Sequence, residues 1–478
     1  MPIPSWLNDE VLAADFGDKR LSKRLASIVT SFASRPQSSI PESCGSWAAS
    51  KATYHFFSHM NVSNEKILAP HHAETLKRCR LHRRVLAFND TTDINYTTHS
   101  KLQGAGYLHT KKTSGFLMHS VLTASPDGVP LGMLTAEMWT RPQSEFGKSE
   151  ERSKRPFAEK ESARWLRAFE AAATISANGT TEVLSIGDRE NDIYEVLSAE
   201  RPKGAHLLVR VGQNRRILAP ALAESSTESS TESDEQTLTK IKEYAASLPA
   251  QGTMDVHIAH QGSQSERTVT VQVAFGSITI LPPRKKKGGV RMSIVVATEV
   301  RSAEASASRQ ETEPPLEWIL LTSLAVESLD DARLMLRYYA LRWLIERLHY
   351  TLKSGCQIEK LELETVERLQ NALAVYLMVA WRLLWLVYQS RLDGQQSCEI
   401  VLETHEWQAL FAVMHEGKSM PEQAPTLEQA ILWIARLGGF LARKRDGAPG
   451  VKVLWRGWSR LTDIVRTWSI AQRHFSPS

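Results

Sequence analysis

The order of hydrophobic and polar positions divides the chain into a helical start, a strand-rich middle and a helical end. Apolar residues recur every three or four positions across residues 18–32, which predicts an amphipathic helix. A second helix is expected at 46–57, and Ser63 is a candidate N-cap for a third. Residues 1–73 are therefore expected to form a small helical domain.

From about residue 74 the pattern becomes that of short strands. Residues 85–89 form an apolar run that Asp90 closes, and the turn sequence Pro126-Asp127-Gly128 joins two longer runs. Asp188 directly follows another apolar run. The expected elements are strands at 107–125, 128–139, 183–186 and 206–211, with helices at 159–175 and 193–199.

The segment 212–317 reads as a β-rich insertion. Its start includes a low-complexity acidic stretch at 223–236, which is expected to be a mobile loop. Strands are expected beyond it at 253–260, 268–275 and 292–298.

The rest of the chain returns to helical patterns. Residues 369–388 are strongly apolar but contain Arg382, so a buried helix is expected rather than a membrane span. Residues 391–478 are expected to form a helical dimerisation module. Its apolar positions suggest the seam: Trp433, Ile434, Leu437, Phe440, Trp455 and Trp458.

One helical segment carries a stripe of functional side chains. Tyr339, Arg342, Glu346 and Lys353 are spaced so that they share one face of a continuous α-helix. The opposite face is apolar and consists of Leu334, Leu341, Leu344, Ile345, Leu348 and Leu352. An acid suited to a metal beside bases suited to phosphate is what phosphodiester chemistry requires.

This stripe resembles the Y-x2-R-x3-E-x6-K signature of the insertion-sequence-four (Tn-five-like) family of bacterial DDE transposases. Four further segments resemble family motifs in the same order, and the likeness runs from about Phe16 to about Leu461. These segments are Phe-Asn-Asp-Thr-Thr at 88–92, Gly-Asp-Arg-Glu-Asn-Asp-Ile at 187–193, Pro-Leu-Glu-Trp-Ile-Leu-Leu-Thr-Ser at 315–323 and Ile-Ala-Arg-Leu-Gly-Gly-Phe at 434–440.

The fold class expected is α/β, with an RNase-H-like catalytic core at 74–390 between all-helical N-terminal and C-terminal domains. In such a core the three acids Asp90, Asp188 and Glu346 can converge. Carboxylates alone favour Mg²⁺ or Mn²⁺, and two ions about 3.5–4 Å apart serve phosphodiester chemistry. We therefore expect these acids to be the catalytic metal ligands.

The resemblance also implies DNA contacts. Arg342 and Lys353 would hold phosphates, Tyr339 would donate to one, and Trp318 would stack on a base flipped out near the cleavage site. Arg210 and His349 are further expected contacts. From the residues alone, Arg342 could instead pair with Glu346 and Trp318 could be a core residue. Family members carry a basic residue where this chain has Tyr350, so one phosphate contact is in doubt.

Charge distribution supports a polyanionic partner. The net charge is only +5, but basic residues cluster in four places. Lys19, Arg20, Lys23 and Arg24 are expected to contact the transposon end, especially Arg20 and Arg24. The other clusters are Lys77, Arg78, Arg80, Arg83 and Arg84, then residues 284–287, then 443–445.

The N-terminus lacks signal-peptide features, so a cytoplasmic, nucleoid-associated protein without a membrane partner is expected. The four cysteines are scattered and suggest neither a zinc site nor a disulfide framework.

The first functional interpretation is a cut-and-paste transposase. It would bind double-stranded DNA at transposon ends and at the target, act as a homodimer in the synaptic complex, and cleave through a hairpin. The resemblance, not the spacing, implies the hairpin and cutting in trans. Two alternatives stay open: a metal-dependent nuclease on the same fold without strand transfer, and an inactive DNA-binding inhibitor.

Overall fold

The computed structural model describes residues 7–220, 236–258, 267–283, 288–300, 315–443 and 446–475. Contacts divide the chain into two compact units. The first unit comprises Met1–Cys79, Thr91–Glu150 and Glu346–Ser478, and the second comprises Arg80–Asp90 and Glu151–Ile345. Apart from Gln236 and Arg443, the acidic stretch at 223–236 and the basic runs at 284–287 and 443–445 lie outside the described residues.

The helices and strands are as follows. The helices are α1 (Leu7–Val11), α2 (Lys19–Ser34), α3 (Ile40–Cys44), α4 (Trp47–Phe57), α5 (Asn64–Cys79), α6 (Ser149–Lys154), α7 (Ala163–Ala173), α8 (Tyr194–Leu197), α9 (Ile241–Ser247), α10 (Leu329–Ala340), α11 (Trp343–Tyr350), α12 (Val366–Leu392), α13 (Thr404–Met414), α14 (Leu427–Leu437) and α15 (Val451–Phe475). The strands are β1 (Arg84–Asn95), β2 (Gly106–Tyr107), β3 (Ser114–Ala124), β4 (Pro130–Trp139), β5 (Glu182–Gly187), β6 (Ala205–Arg210), β7 (Arg216–Pro220), β8 (Gln236–Lys240), β9 (Gly252–Ile258), β10 (Arg267–Ile280), β11 (Val290–Glu299) and β12 (Glu317–Thr322).

A mixed sheet forms the second unit. Its strand order is β1-β5-β6-β12-β11-β10-β7-β8, with β9 pairing β10. The strands β1, β5 and β6 are parallel, whereas β6, β12, β11 and β10 pair antiparallel in turn. All of β5 after Glu182 is buried, as expected of a parallel strand covered on both faces. The strands β7 to β11 lie within residues 212–317 and extend the sheet that contains the parallel strands.

The first unit begins with the expected helices. Asp18 caps α2 by accepting a hydrogen bond from the Arg20 N–H, and the apolar face of α2 is buried through Phe32. The Phe32 ring stacks on Tyr376 of α12 with the ring centroids 4.7 Å apart. The helical region was expected to end near residue 73, but α5 continues to Cys79 because its inward positions, ending with Cys79 itself, stay buried.

The apolar segment near residue 380 is a core helix. By length and composition α12 could cross a membrane, but 83% of its most apolar stretch is buried inside the protein. The Trp381 indole N–H donates to the Pro130 carbonyl, and the Asn371 amide donates to the Phe57 carbonyl. The expectation of a buried helix is confirmed.

The C-terminal helices pack closely on one another. A Cβ at Gly457 would lie 1.7 Å from the Ile434 carbonyl oxygen, so α14 and α15 meet at a position where only glycine fits. Trp433, Ile434 and Trp455 were expected at a dimer seam, but each is at most 8% exposed within one chain. Their apolar surface already stabilises the first unit, so they do not define a seam.

Candidate active site

Asp90 and Asp188 lie just past the paired part of two neighbouring parallel strands of the second unit. The pairing of β1 with β5 ends at Phe88 opposite Ile186; Asp90 lies two residues later within β1, and Asp188 directly follows the end of β5. Both side chains are partly exposed. Parallel strands in register bring their carboxyl ends to the same edge of a sheet, so both aspartates lie at the edge where the β1–β5 pairing ends.

Each aspartate is fixed locally in a different way. Asp90 was expected to end its strand, but β1 continues to Asn95, so Asp90 marks only the end of the pairing with β5. Asp188 caps a short 3₁₀ helix that begins at Arg189, and its side chain accepts a hydrogen bond from the Glu190 N–H at 2.9 Å.

The signature segment is not one continuous helix. Helix α10 ends at Ala340 and α11 begins at Trp343, so Arg342 lies in the break between them. Residues Thr351–Gly355 form a π-helical turn that contains Lys353. The expectation that the four signature residues line one stripe of a regular α-helix is therefore wrong. Glu346 lies in α11 and is half-buried.

Arg342 approaches the first aspartate. Its Nη1 atom lies 3.8 Å from Asp90 Oδ2, and the two side chains are 15% and 19% exposed. The distance is too long for a hydrogen bond but short enough for strong electrostatic attraction. The break before α11 thus places a guanidinium beside a carboxylate at the end of the β1–β5 pairing.

Tyr339 and Trp318 pack on each other in the second unit. Their ring centroids are 5.0 Å apart in an edge-to-face arrangement, and the residues are 4% and 9% exposed. Burial raises the pKa of Tyr339. Arg210 interacts with Tyr339 and donates to the Glu317 carbonyl at 2.9 Å, and burial lowers the pKa of Arg210. Base stacking by Trp318 would require its ring to become accessible.

Lys353 is held by acids of the first unit. Its Nζ atom lies 3.1 Å from Asp93 Oδ1 and 4.0 Å from Glu359 Oε1. Burial raises the pKa of Asp93, but the charge of Lys353 and the hydrogen bond from it outweigh burial and leave that pKa below its ordinary value. Sequence reasoning missed Asp93, although it lies three residues after Asp90.

His349 differs from expectation. It is 7% exposed, and its Nε2 atom lies 2.9 Å from Ser120 Oγ in the first unit. A buried imidazole that shares a hydrogen bond with a buried hydroxyl reads as a core residue, so the structure offers no support for a DNA contact there.

The basic cluster of α2 is exposed, as a DNA contact requires. Lys19, Arg20, Lys23 and Arg24 all face solvent. Arg20 is less available to bind DNA, because its guanidinium already donates to both carboxylate oxygens of Asp18 at 2.8–3.2 Å.

A divalent ion fits the chemistry of these donors but is not enclosed by them. Asp90 and Asp188 offer the oxygen ligands that Mg²⁺ and Mn²⁺ prefer. In the described part of the chain, no group of three His, Cys, Asp or Glu side chains is placed to hold an ion together. The residue types therefore suit a divalent ion, while the assignment of individual ligands is a proposal.

Three family descriptions match the chain in order. "Transposase DNA-binding" matches residues 3–62, "Transposase DDE domain" matches 132–382, and "Transposase Tn5 dimerisation domain" matches 378–476. The central match covers more than half of the 478 residues and includes Asp188 and Glu346, whereas Asp90 precedes it.

These matches, with the geometry above, place the chain in the DDE transposase family. Within that family it is Tn5-like, since the three domains occur together. The chain is thus a DNA transposase with an RNase-H-like core, and its partners are DNA and a second copy of itself. Enzymes of this family depend on divalent metal ions.

Proposed function

We propose that this transposase works by cut and paste: it nicks one strand at the transposon end, forms a hairpin, opens it with water and joins the 3′ end to target DNA. The observation that carries the proposal is that Asp90 and Asp188 both lie just past the last pair of the parallel strands β1 and β5. The nuclease and strand-transfer steps use one chemistry: water or a DNA 3′-OH attacks a phosphodiester, loses its proton and displaces the leaving oxygen of the cut strand.

The three acids are assigned to the metal. Asp90 and Asp188 would each contribute oxygens, and the spacing of the signature names Glu346 as the third carboxylate. When bound, two divalent ions would activate the attacking oxygen and neutralise the leaving oxygen. Arg342, beside Asp90, would orient the carboxylate and bind the scissile phosphate as it enters.

DNA binding is assigned to separate groups of residues. The exposed cluster of α2 would contact the transposon end, which agrees with the match of residues 3–62. Lys353 would hold a backbone phosphate, and Trp318 would stack on an extruded base during hairpin formation. Residues 1–73, 74–390 and 391–478 remain our proposed functional domains for DNA binding, catalysis and dimerisation.

Two copies would act together. The dimerisation match supports a homodimer. The resemblance implies that, in a synaptic complex, each active site would cut the end held by the other copy. A protein with these partners is expected in the bacterial cytoplasm, associated with the nucleoid.

A strand-transfer assay tests the proposal. The full chain is incubated with precleaved transposon ends, a supercoiled target and Mg²⁺. Joined products are expected, because a transposase uses the free 3′-OH as nucleophile. Cleavage of uncut ends without joining would instead identify a nuclease, and end binding without either product would identify a DNA-binding inhibitor.

A further inference from the structure

A buried side-chain hydrogen bond links β1 to β5 one residue before Asp90 and three residues before Asp188. The Asn89 amide nitrogen donates to Ser185 Oγ at 3.0 Å. Asn89 is 1% exposed and Ser185 is fully buried. Both residues belong to the second unit, so the bond is internal to one compact body.

The hydrogen bond between Asn89 and Ser185 lies at the end of the β1–β5 pairing. The pairing of the strands ends at Phe88 opposite Ile186, and Asn89 is the next residue of β1. Ser185 pairs with Ala87 inside the ladder, so the bond runs from the first unpaired residue of β1 back to a paired residue of β5. It therefore holds β1 to β5 at the point where the backbone ladder stops, directly before Asp90.

A second amide braces the end of β5. A Cβ at Gly187 would lie 2.3 Å from the Asn191 side-chain nitrogen, so the buried Asn191 amide lies directly against this strand end. The Asn191 backbone N–H also donates to the Asp188 carbonyl at 3.1 Å. Asp188 thus lies in a turn that Asn191 packs against, and the Asn89 bond ties the neighbouring strand to β5.

Stability alone does not explain the choice of asparagine. The Asn89 side-chain oxygen is buried and accepts no hydrogen bond within the described residues. An unsatisfied buried acceptor lowers the free energy of unfolding, and an apolar pair of similar shape would avoid that loss. The Asn89–Ser185 hydrogen bond is therefore better explained by the position it gives β1 than by a gain in the stability of the fold.

We propose that Asn89 and Ser185 are positioning residues, whose hydrogen bond sets the spacing of the Asp90 and Asp188 carboxylates for a divalent ion. The proposal rests on the assignment of those aspartates as metal ligands. Groups that orient ligands from behind contribute to metal affinity without touching the ion.

The test is a Mn²⁺ titration of the full chain without DNA, in which electron paramagnetic resonance measures the free Mn²⁺ and thus the binding affinity. The double variant Asn89→Leu/Ser185→Ala removes both partners at nearly constant shape. Its Mn²⁺ affinity is expected to fall by about tenfold, the lower end of the ~10–100-fold range for such partners. Its Tm is expected to stay unchanged or rise, because the unsatisfied oxygen is gone.

Two further variants separate positioning from general packing. Ser293→Ala in β11 removes another serine hydroxyl of this unit, one that donates to the Leu324 carbonyl at 2.9 Å, and should lower the Tm without changing Mn²⁺ affinity. Ser185→Thr keeps the hydroxyl and should retain wild-type affinity.

Asp188→Asn provides the reference for the metal assignment. Loss of Mn²⁺ binding in Asp188→Asn with wild-type binding in the double variant would overturn the positioning role alone. Wild-type binding in Asp188→Asn would overturn the ligand assignment and the positioning role with it. An equal fall of affinity in Ser293→Ala would show that the effect is general destabilisation, which also overturns the proposal.

Discussion

The cations of α2 and those of the signature segment are in opposite environments. Lys19, Lys23 and Arg24 point into solvent, whereas Arg342 lies beside Asp90 and Lys353 lies beside Asp93. Exposed cations release counterions when they meet DNA, so they contribute affinity that depends on salt. Cations that are already paired with carboxylates of the protein must leave them before they bind DNA phosphates. Such cations therefore position the DNA more than they increase its binding affinity. We therefore expect substitutions in the cluster of α2 to change the affinity for DNA and its salt dependence. Substitutions in the signature segment should mainly change the cleavage steps.

The largest effect is expected at the acid of the signature segment. Glu346→Gln should slow cleavage by about a thousandfold or more, because loss of a metal ligand removes several kcal/mol of transition-state stabilisation. End binding measured by gel shift should be unchanged. Glu367→Gln, an exposed acid in the first turn of α12, is the charge-matched control and should cut normally.

Trp318→Ala should slow hairpin formation by roughly 5- to 150-fold relative to nicking, since stacking on a base contributes about 1–3 kcal/mol. A time course that resolves nicked and hairpin products measures both steps. Trp165→Ala removes another buried tryptophan of the second unit and should slow neither step selectively. Equal slowing of both steps by Trp318→Ala would make Trp318 a core residue only.

The exposed cluster should govern the salt dependence of end binding. Lys23→Gln/Arg24→Gln should lower the slope of log affinity against log salt by about 1.8, or about 0.9 for each lost phosphate contact. Lys240→Gln/Lys242→Gln removes the same charge from exposed positions of the second unit and should leave the slope unchanged. Arg20→Gln should have a smaller effect than Arg24→Gln, because Asp18 already binds Arg20. Equal slopes for both double variants would place the DNA contacts elsewhere.

The smallest effect is expected from releasing Lys353. Asp93→Asn should strengthen end binding by at most about fivefold, the value of an ion pair worth ~0.2–1 kcal/mol. The effect should vanish in the background of Lys353→Met. Glu364→Gln, which breaks the exposed pair with Arg368, removes the same charge and should not strengthen binding.

The pH dependence of this ion pair follows from the lowered pKa of Asp93. A carboxylate with a depressed pKa contributes its stabilisation above its unfolded pKa and loses it only as pH falls through the lower folded value. The effect of Asp93→Asn should therefore be the same at pH 6 and pH 8. A gain that disappears between those values would show that another group controls Lys353.

Much of the fold follows from local sequence pattern. The apolar run before Asp188 predicts β5, and the same logic finds the hydrophobic face of α2, because burial repeats with the period of each element. The predicted N-cap Ser63 also agrees with the structure, because its Oγ atom accepts a hydrogen bond from the Lys66 N–H at 3.4 Å just before α5. These features depend on neighbours in sequence, which a single chain displays.

The remaining features depend on distant contacts. Leu344, Ile345 and Leu348 keep a helical period close to the break at Arg342, so the sequence gives no sign that α10 and α11 are separate. Lys353 and Asp93 are 260 residues apart, and no spacing rule connects them. Asn89 looked like part of a motif, and only the pairing of β1 with β5 reveals its bond to Ser185.

The central claim is that Asp188 binds the metal that the chemistry needs. Asp188→Cys tests it most directly, because a thiolate binds softer ions better than Mg²⁺. The variant should be inactive in end cleavage with Mg²⁺ and should recover measurable cleavage with Mn²⁺, whereas Asp188→Ala should recover none. Wild-type cleavage by Asp188→Cys in Mg²⁺, or equal Mn²⁺ activity of the cysteine and alanine variants, would contradict the account.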